Sequence, residues 1–184
     1  DRDARPLAGV TVFWRPPSER PRVAATGATA VMDQVDTRFV PHVLIVQTGT
    51  SVQFPNNDSV AHHVYSFSHP NQFKLPIYKG DAHPPVEFVE SGVVVLGCNI
   101  HDNMLGYIVV VETSAYGTTN ELGEVQLETD FPGGEVVVWS PRIRDASETL
   151  VRALDQDSDG IADIRIDLLK GLRPEFDENS EALS

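Results

Sequence analysis

Apolar residues along this chain fall in short runs rather than at helical spacing. "VVVLG" (Val93–Gly97), "YIVVVE" (Tyr107–Glu112) and "EVVVWS" (Glu135–Ser140) are Val-rich, only a few residues long, and separated by stretches rich in Gly, Pro, Asn and Asp. β-branched runs of that length between turn-forming residues predict strands, and almost no segment carries the 3.6-residue period of an amphipathic helix. An all-β chain is therefore expected. No apolar run approaches the roughly 18 residues that a membrane helix needs, so no transmembrane segment is expected. The chain opens without a basic-then-apolar leader, and Asp1 reads as the start of a mature or trimmed chain.

Composition agrees with a packed protein. A length of 184 residues at 41% hydrophobic content is enough for one large or two small domains, and the 13 Gly and 13 Pro suit many turns. The formal net charge of −13 argues against a nucleic-acid partner, because phosphate binding needs clustered Lys and Arg. The charge is unevenly placed. Residues 1 to 112 carry 8 basic and 11 acidic side chains, a net of −3, whereas residues 113 to 184 carry 6 and 16, a net of −10.

The densest chemistry lies in "GCNIHDNM", Gly97–Met104, which holds the single cysteine, a histidine and one of two methionines. A lone Cys cannot close an internal disulfide. A small buried hydrophobe is its simplest role. A nucleophilic Cys-His pair would need an orienting partner and a substrate cleft from elsewhere in the chain, and no such set is evident, so the chain is read as a non-enzyme. Zinc would favour further thiolates or a His-rich tetrahedral set. A thiolate, two imidazoles and a weak axial thioether suit copper better. Cys98, His101 and Met104 supply three of these four donors, and the fourth is sought upstream in "VQFPNNDSVAHHVYSFS", where Phe54, Asn56, Asp58 and His62 follow the order F-x-N-x-D-x-x-x-H.

With these motifs, residues 32 to 112 resemble the cupredoxins, the blue-copper or plastocyanin-like proteins. "FVPHVLIVQTGTSVQFPNNDSVAHH" is similar to the family's strand, turn and first ligand, and "GVVVLGCNIHDNMLGYIVV" to its last two strands with the ligand loop between them. "HHVYSFS", "LPIYKG" and "LGCNIHDNMLGYIVVVETSAY" are similar in particular to periplasmic methylamine-utilisation or plastocyanin-like proteins. The resemblance implies a Greek-key β-sandwich in which His62, Cys98, His101 and Met104 hold one copper ion cycling between Cu(I) and Cu(II). It implies single-electron transfer between periplasmic redox partners, such as a c-type cytochrome or a periplasmic oxidoreductase, and a periplasmic or secreted location. Copper binding or delivery without a dedicated electron-transfer role is the alternative, and a β-sandwich keeping only the outline of a copper site is a third.

Two departures from the family pattern matter. Only Asp102 and Asn103 separate His101 from Met104, where many members have three or four residues, so a perturbed axial interaction and a greener colour are expected. His63 stands where plastocyanins often place an asparagine, and it is the runner-up to His62; strand alternation lets only one of the two face the metal. The N–H following His62 is the candidate donor to the Cys98 sulfur. His101 is the expected electron exit, with Leu105 and Pro41 contributing an apolar patch. His42, His69 and His83 are read as solvent or surrounding residues.

The flanks resemble a different fold. "DARPLAGVTVFWRP" and "AYGTTNELGEVQLETDFPGGEVVVWSPR" are similar to the early and late strands of a carboxypeptidase-regulatory-like β-sandwich. Together they suggest a second, discontinuous small β-sandwich, residues 1–31 and 113–184, interrupted by the cupredoxin segment. Alternatively, residues 5 to 16 add one more cupredoxin strand. "DQDSDGIADIRID" puts Asp155, Asp157 and Asp159 at the first, third and fifth positions of a calcium loop, Gly160 at the sixth and Asp163 at the ninth, but Ile166 occupies the twelfth, where a bidentate Glu is needed. A solvated acidic turn is preferred there to calcium. The tail after about residue 174 is expected to be frayed.

Overall fold

A computed structural model describes residues 6–17, 24–80, 83–129, 134–143 and 150–153. The acidic segment from Asp155 and the tail after residue 174 lie outside the described residues. All regular structure among the described residues is β. In chain order the strands are β1 (Thr11–Arg15), β2 (Thr29–Val31), β3 (Asp33–Val35), β4 (Arg38–Val40), β5 (Val43–Gln47), β6 (Thr50–Gln53) and β7 (Val64–Ser66). They continue with β8 (Phe73–Lys74), β9 (Val86–Phe88), β10 (Gly92–Cys98), β11 (Leu105–Val111), β12 (Tyr116–Thr118), β13 (Glu135–Trp139) and β14 (Leu150–Ala153).

The middle layer is a five-stranded sheet in the order β5-β11-β10-β7-β8. β10 and β11 form an antiparallel hairpin from Gly92↔Val110 to Gly97↔Leu105, and β5 runs parallel to β11. A three-stranded sheet, β2-β6-β9, faces it. Between the two lies the principal core, where Val94, Leu96 and Cys98 of β10 and Ile108 and Val110 of β11 meet Val52 of β6, Phe88 of β9, and Phe39, Phe54 and Met32. These side chains alternate along β10 and β11, as the period of a pleated strand requires. β2 lies before residue 32 yet pairs in parallel with β6 from Thr29↔Ser51 to Val31↔Gln53, so this sandwich recruits chain upstream of the segment with cupredoxin-like motifs.

The other face of the middle sheet is not open to water. Val109 and Val111, with Val43, Ile45, Val93 and Tyr107 beside them, pack on Trp139, Phe13 and Tyr116. These last three belong to a four-stranded sheet, β12-β1-β13-β14, that draws strands from both flanks. β1 pairs with β12 and with β13, so residues 11–15 join the flanking strands and not the copper-motif sheet. The outer face of this sheet carries Val10, Val12, Val138 and Ile143, covered by Leu7, Val125 and Leu127. β11 is thus apolar on both faces because it is covered on both, the circumstance in which a strand reads as a continuous hydrophobic run.

Candidate metal centre

Cys98 ends β10 and pairs with Val64 of β7, which places its sulfur at one edge of the core beside the chain that enters β7. The connection to β11 is short. Met104 donates its N–H to the His101 carbonyl at 3.0 Å, closing a tight turn over Asp102 and Asn103. That turn brings His101 back over Cys98 and buries Met104 in the same core cluster.

The upstream histidine arrives on a loop pinned almost entirely by hydrogen bonds. His62 and Tyr78 exchange backbone N–H···O bonds at 3.0 Å in each direction. Asn56 donates its side-chain amide to the carbonyls of Val60 and Tyr78, both at 3.0 Å. Buried Gln34 donates to the Tyr78 hydroxyl at 2.6 Å and to the Pro55 carbonyl at 2.9 Å, and that hydroxyl donates to the Phe54 carbonyl at 2.5 Å. Burial pushes the Tyr78 phenol up to about 12, so it remains a donor throughout the physiological range. Rigid supports of this kind hold a ligand in place whether or not a cation is present.

Among the described residues, one group of three His, Cys, Asp or Glu side chains converges closely enough to hold a metal ion: His62, Cys98 and His101. The two Nδ1 atoms lie 3.1 Å apart, and Cys98 Sγ is 3.8 Å from His62 Nδ1 and 3.5 Å from His101 Nδ1. A triangle with those sides has its centre about 2.0 Å from each corner, the ordinary length of a bond from a first-row metal to an imidazole nitrogen. One soft thiolate and two imidazoles at that spacing fit copper, for which such a donor set is characteristic. Cys98 is a free, buried cysteine, and both His62 and Cys98 are withdrawn from water while His101 stays partly exposed.

The two adjacent histidines diverge. His62 directs Nδ1 at the cluster, whereas the His63 ring lies 5.8 Å from the Tyr65 ring and its Nδ1 is buried without a hydrogen-bond partner. Burial, and then Lys74, hold the His63 imidazole below its ordinary value. Its backbone contributes instead: the His63 N–H donates to Cys98 Sγ at 3.5 Å. His42 is elsewhere, edge-on to Tyr107 at 5.4 Å, and burial lowers its pKa. His83 packs edge-on to Tyr78 at 5.0 Å. Ile100, beside His101 on the ligand loop, and Leu105, at the start of β11, are exposed apolar side chains, and Pro41 is partly buried.

A residue that entered the sequence reading only as a motif position, Asp58, contacts the centre directly. Its Oδ2 accepts from His62 Nε2 at 2.9 Å, with the His62 side chain fully buried and that of Asp58 5% exposed. The Thr37 amide and then the His62 ring hold its carboxyl well below the usual carboxylate range. The available signal was an acid four residues before the ligand, but Thr37, which fixes it, comes from a distant hairpin.

No protein-family model and no curated protein matches the chain. Solved structures do. A purple cupredoxin from Nitrosopumilus maritimus is 25% identical over 46% of this chain and 99% of its own, with a TM-score of 0.39. A reduced amicyanin variant is 27% identical over 55% of this chain and 99% of its own, with a TM-score of 0.41. A copper-containing nitrite reductase from Thermus scotoductus is 28% identical over 49% of this chain, which spans only 25% of that enzyme, with a TM-score of 0.44. By its own layered sheets and donor cluster the chain is an all-β protein whose His62, Cys98 and His101 side chains form a site suited to one copper ion.

Proposed function

We propose that this protein carries single electrons with one copper ion that His62, Cys98 and His101 would hold, with Met104 as the fourth donor. The observation that supports the reading most is the spacing of the three donor atoms, 3.1, 3.5 and 3.8 Å from one another, on a β-scaffold. Copper supplies a one-electron couple between Cu(I) and Cu(II).

The residues account for the rest. Cys98 and His62, fixed between paired strands and a hydrogen-bonded loop, offer the same positions to either oxidation state, so little rearrangement accompanies electron gain or loss. The His63 N–H draws charge from the sulfur of Cys98 and tempers its donation. Burial of His62, Cys98 and Met104 keeps water from the centre. His101, the partly exposed donor, is the electron's exit, and Ile100 and Leu105 give that edge an apolar rim.

The partner is a redox protein such as a c-type cytochrome or a periplasmic oxidoreductase, and the location is periplasmic or secreted. The net charge of −13 favours a basic partner, whose association should slow as salt screens the attraction. No helix among the described residues is long and apolar enough to cross a membrane. Residues 32–112, joined by β2 from just upstream, form the copper-binding unit, and the sheet built from β1, β12, β13 and β14 forms a second unit from the flanks.

Reversible voltammetry followed by competition with a Cu(I) chelator tests the role. Retention of copper through repeated cycles supports a carrier. Rapid loss of Cu(I) to a modest chelator would replace this reading with copper delivery.

A further inference from the structure

We propose that Asp58 is a positioning residue that locks His62 as the Nε2–H tautomer and, by lodging a negative charge behind the ring, favours Cu(II) over Cu(I) and lowers the reduction potential. The inference rests on the copper reading above and adds what sets its redox balance.

A neutral imidazole has one N–H and one lone pair, and the partner of the first decides where the second points. In His62 the nitrogen facing away from Cys98 lies 2.9 Å from Asp58 Oδ2, an atom that only accepts when the carboxyl is ionised. The proton is therefore on Nε2. Nδ1 keeps its lone pair, aimed at the 3.1–3.8 Å cluster with His101 and Cys98. A metal-ligating histidine that donates its other N–H to a carboxylate becomes a more basic donor. A more basic donor, backed by a full negative charge in a water-poor setting, stabilises the more highly charged cation.

The carboxylate is itself built into the fold. Oδ2 accepts the Thr37 N–H at 2.6 Å, Oδ1 accepts the Ser59 N–H at 2.6 Å, and the Asp58 N–H is tied to Asn56 Oδ1 at 3.0 Å. Thr37 can aim its amide this way because the turn between β3 and β4 runs through two left-handed residues, Asp36 at φ 49° and Thr37 at φ 57°. Backbone amides cannot titrate or lose their protons to the ring. The hairpin β3–β4 thus fixes the charge that in turn fixes His62.

The comparison of wild type with Asp58→Asn tests this. The substituted side chain can still accept from His62 through its carbonyl, but it brings no charge, and its NH₂ group cannot accept, so the bonds from Thr37 and Ser59 are not both kept. The expected result is an intense visible band in both proteins and a higher potential in the variant, corresponding to at least a tenfold loss of Cu(II) over Cu(I) preference, about 59 mV for one electron. An unchanged potential with the band retained overturns the proposal and leaves the copper reading standing. A copper-loaded wild type with no such band overturns both. Should the variant fail to fold, ¹⁵N-resolved NMR of the metal-free wild type decides: a proton on His62 Nε2 upholds the proposal, and one on Nδ1 refutes it.

Discussion

The backbone N–H of His63 donates to the sulfur of Cys98 at 3.5 Å, so the residue beside the upstream donor serves the centre through its main chain while its side chain turns away to Tyr65. Neighbouring residues on an extended chain face opposite sides, and here that division separates a donor ring from a supporting amide.

Single replacement of the two histidines should therefore give unequal results. His62→Gly removes the Nδ1 donor, and the visible band should weaken severely or vanish. His63→Gly keeps the amide that bonds the sulfur, and the band should persist with at most a small shift. Visible spectra of the two copper-loaded variants decide the matter, and the reverse pattern would make His63 the donor.

Gly106 lies opposite Leu96 in the hairpin, and a Cβ added there would sit 2.8 Å from Phe39 Cβ and 2.9 Å from its ring. Phe39 is fully buried and cannot swing away. Gly106→Ala should cost about 1–3 kcal/mol by overpacking, measured by denaturant unfolding of the metal-free protein. A cost near zero would mean that this part of the core is looser than the structure shows.

Trp139 joins the flanking sheet to the middle one, fully buried with its ring 5.3 Å from that of Tyr107. Trp139→Ala should destabilise by roughly 3–5 kcal/mol and leave the visible band where it is, because the residue lies on the opposite face of the sheet from Cys98. Unfolding curves and spectra of the same samples check both halves. A large spectral change would show that the flanking sheet acts on the metal centre as well as on stability.

How far the sequence disclosed this arrangement depends on how local each feature is. Cys98, His101 and Met104 stood out because they crowd into one short hairpin connection, and His62 followed from its spacing to Phe54, Asn56 and Asp58. The contact of Asp58 with His62 did not, since it requires a hydrogen bond from Thr37 in a hairpin whose Asp36-Thr37 turn carries none of the Asn-Gly chemistry that usually marks one. The strands of β10, β11 and β13 were visible as apolar runs, but their facing was not. β11 shows no alternation because Ile108 and Val110 enter one core while Val109 and Val111 enter another. The parallel pairing of β2 with β6 is likewise silent in sequence, because a strand of three residues carries too few positions to declare its partner.

The central claim, a copper ion bonded to the Cys98 thiolate, is tested most directly by titrating metal-free protein with Cu(II) and recording the visible spectrum of wild type and Cys98→Ser side by side. A hydroxyl cannot replace the soft, charge-donating sulfur. An intense band that saturates at one equivalent in wild type and is absent in Cys98→Ser is the predicted result. A wild-type protein that binds copper without that band, or a band that survives Cys98→Ser, would contradict the account.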